Sequence, residues 1–84
     1  MVIEVMRFPA LSDAHAVDAL LRGRTVFCAE SGEGWQLCEP GELPHPHYRS
    51  KRAVHHFLSA RRKWVQDYFE VREVHWIIEV PCGE

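Results

Sequence analysis

Residues 50 to 69 read SKRAVHHFLSARRKWVQDYF, and the other elements are placed by reference to them. Ala53, Val54, Phe57, Leu58, Ala60, Trp64, Val65, Tyr68 and Phe69 recur at helical spacing and take up somewhat more than half the circumference, which predicts an amphipathic helix from Lys51 to Phe69. Ser50 is its cap, and at 1.5 Å per residue it would be about 28 Å long. Pro40, Gly41, Pro44 and Pro46 lie just upstream and predict an irregular connection, because proline lacks an amide donor and turns its predecessor away from helix.

Downstream, Val71 to Val80 alternates, with Val74, Trp76, Ile78 and Val80 on one side and Pro81 as the stop, the pattern of a half-buried strand. On the N-terminal side, Thr25–Glu30 and Trp35–Glu39 are short apolar segments around the glycine-bearing run from Ser31 to Gly34, which predicts an antiparallel hairpin. Residues 2 to 8 are rich in β-branched and apolar types and stop at Pro9, a first strand. Ser12 can then cap a helix over Asp13–Arg22, with Leu11 as an outside staple, Ala14, Val17, Leu20 and Leu21 on the buried stripe and Gly23 as the stop.

The order is βαββαβ, which resembles the ferredoxin-like split βαβ arrangement: an α+β fold with a four-stranded antiparallel sheet and two helices on one face. That resemblance is topological and spans the chain, residues 1 to 84, as a single small domain. It supplies a scaffold and no activity. The RNA-recognition motif shares the order, but its third strand requires a basic residue, glycine and aromatics, whereas Gly34 to Pro40 carries one aromatic and an acid.

At 84 residues there is room for one core. Apolar residues make up 46% and charged residues 26%, which excludes a disordered chain. The longest apolar run, Val26 to Ala29, is far too short to span a bilayer, and Glu4 and Arg7 interrupt an N-terminus that lacks a basic leader. Cys28, Cys38 and Cys82 form an odd set without a C-x-x-C pair and are expected as free thiols in a reducing compartment. A soluble cytoplasmic protein with no membrane contact is therefore expected.

The net charge of −2 conceals segregation. Residues 1 to 44 hold three bases against seven acids, a net −4; residues 45 to 63 hold six bases and no acid, +6; residues 64 to 84 return to −4. Arg49, Arg52, His55, His56, Ser59, Arg62, Lys63 and Gln66 share the polar arc of the long helix, with Lys51 at its edge, and this face would attract carboxylates or phosphates. Arg61 falls instead in the middle of the apolar arc, where it must snorkel, meet a carboxylate such as Glu4 or Glu73, or mark an interface. Trp35, beside the hairpin loop, is the tryptophan best placed to be an exposed anchor.

Metal and catalytic readings are poorer. Cys28, Cys38, His45 and His47 lack the knuckle spacing of zinc sites, so no metal or cofactor is expected. Neither a phosphate loop nor a His-Glu-x-x-His pair is present, and His55 and His56 diverge by about 100° on a helix. The sequence therefore reads as a non-enzymatic binding or regulatory protein that docks onto a larger protein or protein–nucleic-acid complex. Its contact residues would be Arg49, Lys51, Arg52, His55, His56, Arg62, Lys63 and Trp35. In size and fold it is similar to small phage and mobile-element proteins that inhibit bacterial systems, an analogy that suggests an inhibitory role. Nucleic-acid binding through the basic helix face is the alternative, and a homodimer through an edge strand or the open sheet face is a further partner reading.

Overall fold

The structure is a computed structural model that describes residues 4–37 and 50–82. Its elements are β1 (Val5–Pro9), α1 (Asp13–Leu21), β2 (Thr25–Cys28), β3 (Gly34–Trp35), α2 (Lys51–Phe69) and β4 (Trp76–Pro81), the βαββαβ order expected. The four strands form one antiparallel sheet in the order β1-β4-β2-β3, so the last strand fills the gap between the two strands that α1 connects. Both helices cover the same face.

Register assigns the faces. Met6 pairs with Val80, Phe8 with Ile78, Val26 with Ile78 and Trp35, and Cys28 with Trp76, and this set faces the helices. Val26, Cys28, Trp76 and Ile78 are buried beneath Ala16, Val17, Ala19 and Leu20 of α1 and Val54, Leu58 and Val65 of α2. The opposite face holds Arg7 beside Glu79 and, next to them, Phe27 beside Ile77. Arg7 Nε donates to Glu79 Oε2 at 3.1 Å while its guanidinium lies 5.1 Å from the Phe27 ring centroid. Gly34 stands opposite Phe27, and a Cβ there would meet the ring at 2.6 Å. Glycine is needed at that position for space.

Local chemistry sets the ends. The Ser12 hydroxyl accepts from the His15 amide at 3.2 Å and the Ser50 hydroxyl from the Ala53 amide at 3.0 Å, so both expected caps are in place. Gly23, at φ 83°, follows the α1 cap Arg22 and stops that helix. α2 ends at Glu70 in the left-handed conformation, φ 54°, an unusual choice for a residue with a side chain.

Some expectations are corrected in detail. The buried stripe of α1 is Ala16, Val17, Ala19 and Leu20, while Ala14 is exposed and Leu21 only half-buried. Those four residues join the core shared by α2 and the sheet, and α1 packs against α2 as well as β2 and β4. Leu11 is 88% exposed and forms no staple; its amide is instead bonded to His15 Nδ1. β4 starts at Trp76, with Val74 buried ahead of it, and in the hairpin loop only Gly32 has positive φ. No helix is long and apolar enough to cross a membrane among the described residues.

Candidate functional interface on the second helix

α2 spans its expected length without a break, and what it presents differs around its circumference. The basic residues of the polar arc divide into two groups. Arg62 turns inward: Nη1 donates to the Val74 carbonyl at 3.1 Å, Nη2 binds Asp13 Oδ1, and the guanidinium lies 5.5 Å from the Trp76 ring centroid. The same Asp13 oxygen accepts from Trp76 Nε1 at 3.0 Å. Burial pushes the Asp13 carboxyl up, but the hydrogen bonds from Arg62 and Trp76 and the Arg62 charge outweigh it and hold the group below its ordinary value. Lys51 Nζ lies 3.5 Å from Asp18 Oδ1, across the helix pair.

Arg52, His56 and Lys63 are different. They lie within about 40° of one another on the helix circumference, all are exposed, and none forms an ion pair with a described residue. His55 is exposed beside them, its Nδ1 3.4 Å from the Ser59 hydroxyl. The field of the basic face is therefore carried by this narrower strip, and Arg62 and Lys51 are largely compensated. Arg49 lies outside the described residues.

Arg61 resolves differently from the carboxylates considered for it. Its Nη2 pairs at 2.5 Å with Glu33 in the β2–β3 loop, and its guanidinium lies 4.6 Å from the Trp64 and 5.6 Å from the Trp35 ring centroids. Its Nε is buried without a hydrogen-bond partner, so the plane of the group is packed against aromatic rings instead of water. Trp35 is half-buried: Phe57 and Trp76 meet it edge-to-face at centroid distances of 5.9 and 5.8 Å.

The exposed aromatic side chains of α2 are toward its C-terminal end. Trp64 and Tyr68 are stacked at 5.0 Å with planes 10° apart, and Phe69 meets both edge-on at 6.1 and 5.0 Å. Trp64 is 39%, Tyr68 69% and Phe69 39% exposed. Sequence spacing assigned all three to the buried arc and missed them as contact residues. The usable signal was the breadth of that arc, which exceeds what one helix can press against a single sheet.

A second cluster joins two loops. His75 donates its amide to Glu30 Oε1 at 2.6 Å and places Nδ1 2.8 Å from Glu30 Oε2, while Nε2 lies 3.5 Å from Glu73. The hydrogen bond and charge of Glu30 raise the His75 pKa above its ordinary value; burial opposes, but His75 overcomes it, in lowering that of Glu30. An open cleft of about 250 Å³ lies beside it, lined by Leu11, Ser12, Asp13, Arg62, Glu73 and His75 among others. The acidic and basic groups of that cleft are already paired with one another or with Glu30, which makes it a structural junction.

Among the described residues no group of three or more His, Cys, Asp and Glu is arranged to hold a metal ion. Cys28 is buried and Cys82 exposed, both as free thiols, whereas Cys38, His45 and His47 lie outside the described residues. Compared with protein-family models, curated proteins and solved structures, the chain has no significant match.

Proposed function

We propose that the chain is a small non-enzymatic binding protein that docks onto a larger protein and modulates or blocks it through the exposed side of α2. The carrying observation is the stacked Trp64–Tyr68 pair, flanked by Phe69, on a helix that also exposes Arg52, His56 and Lys63, none ion-paired with a described residue, about 80–160° around its circumference from the pair. Exposed aromatic rings held rigid by one another lose little side-chain freedom on contact, and tryptophan, tyrosine and arginine are the residues that dominate binding energy at protein interfaces. The charges of Arg52 and Lys63, on the adjoining sector of the same helix, would speed encounter with an acidic partner and set its orientation. A cytoplasmic setting agrees with the free thiols of Cys28 and Cys82.

Nucleic acid is the second reading, and the stack favours it to a degree, since bases also stack on paired aromatic rings next to arginine or lysine. The compensation of Arg62, Arg61 and Lys51 by Asp13, Glu33 and Asp18 leaves few charges for a phosphate backbone, which supports the protein partner instead. Retardation assays with DNA and RNA oligonucleotides at low salt separate the two. Tight binding that weakens steeply with salt and is lost in an Arg52→Glu, Lys63→Glu variant would replace the protein reading; no retardation is expected.

A further inference from the structure

The edge strand β1 carries an independent feature. Ala10 N–H donates to the Trp76 carbonyl at 2.8 Å and Cys82 N–H to the Glu4 carbonyl at 2.9 Å. With the β1–β4 register, these bonds place the backbone groups of residues 4, 6, 8 and 10 toward β4, so Val5, Arg7 and Pro9 turn theirs to the open edge. Pro9 has no amide proton, which leaves the Val5 and Arg7 amides as the outward donors of the strand. All five residues of β1 are exposed, including Val5 (43%), Met6 (46%) and Phe8 (43%), because the helices cover β2 and β4 and stop short of this edge.

We propose that this edge pairs antiparallel with β1 of a second copy, about a two-fold axis through Met6, to form one continuous eight-stranded sheet. The strand is self-complementary in that register. Each Val5 amide meets the Arg7 carbonyl of the other copy and each Arg7 amide the Val5 carbonyl, four bonds that use every outward donor of the strand. Met6 meets Met6 on the helix-side face and Arg7 meets Val5 on the other. An axis through Arg7 is disfavoured, because it sets like charges directly opposite and turns the Val5 carbonyl toward Pro9, which has no donor. Met6 and Phe8, left bare by the helices, then form an apolar strip across the junction.

The test is sedimentation equilibrium of the full chain and two variants. Wild type gives a reversible dimer. Arg7→Ala keeps the amide and stays dimeric. Arg7→Pro differs from Arg7→Ala in lacking the outward amide; it keeps the far-ultraviolet circular dichroism of the fold and dimerises at least about tenfold more weakly than Arg7→Ala. In a Cys38→Ser, Cys82→Ser background, oxidation links copies through Met6→Cys, since non-hydrogen-bonded partners lie about 4.5 Å apart at Cα, within disulfide reach. Phe8→Cys, opposite Glu4, does not link. A monomer across the concentration range, a dimer indifferent to Arg7→Pro, equal linkage at positions 6 and 8, or a monomer that takes up an unrelated extended peptide along β1 would each overturn the proposal.

Discussion

Arg62 reaches across the helix pair and binds Asp13 in the first turn of α1, so a residue that helical spacing places on the solvent face is a tie between the two helices. The pair also closes over Trp76, whose indole N–H shares the Asp13 carboxylate. Three elements, α1, α2 and β4, thus meet at one oxygen.

Cutting that tie destabilises the fold. Arg62→Ala leaves Asp13 half-buried with the Trp76 indole as its remaining strong donor, and a loss of about 1–3 kcal/mol is expected in urea unfolding. Because the Asp13 pKa is depressed on folding, its contribution is present above the ordinary aspartate value of 3.8 and is lost as pH falls through the lower folded value. Asp13→Asn removes that acid-side slope. An unchanged slope in the variant would contradict the assignment.

The Glu30–His75 clasp should show on both sides of neutrality. The folded pKa of His75 is raised, so its contribution is full below the ordinary value of 6.5 and fades as pH rises through the folded pKa. The folded pKa of Glu30 is lowered, so its contribution is present above 4.5 and fades toward acid. The pair therefore works best between those two ordinary values. In an NMR titration His75 has a pKa above 6.5, and Glu30→Gln brings it back toward that figure; a His75 that titrates alike in both proteins would sink the claim.

The α2 terminus offers a gain. Glu70 holds a left-handed backbone that glycine adopts freely, and Glu70→Gly is expected to stabilise the fold by about 1 kcal/mol, read from the urea midpoint at unchanged slope. A lower midpoint would show that the Glu70 side chain contributes more than its backbone loses.

Leu58, 1% exposed at the centre of the core, tests the packing of α2 on the sheet. Leu58→Ala should cost about 2–5 kcal/mol. Tyr68→Ala, at an exposed site, should change stability by less than about 0.5 kcal/mol. Similar losses at both positions would mean that the aromatic cluster is part of the core.

Legibility followed the range of the forces involved. The bounds of α2 and both serine caps could be read from sequence because spacing and capping act over four residues or fewer. The fate of Arg61 and Arg62 could not, since Glu33 and Asp13 are 28 and 49 positions away and nothing local announces them. Trp64, Tyr68 and Phe69 share a periodicity with Leu58 and Val65, and period alone cannot say where the sheet beneath a helix ends. Trp35, expected as an exposed anchor, is half-enclosed by Phe57 and Trp76, partners contributed by later elements. The α1 stripe was misplaced for a related reason: which alanines are buried depends on where α2 lies.

Site-specific photo-crosslinking in the native host reads out whether the Trp64–Tyr68 side of α2 is the contact surface. A benzophenone side chain placed at Tyr68 is predicted to trap one discrete protein adduct. The same group at Thr25, on the open sheet face, should trap none, and Trp64→Ala should reduce the adduct at position 68 by about tenfold or more. An adduct from Thr25 equal to that from position 68, or none from position 68 at all, would show that this side of α2 is not the contact surface.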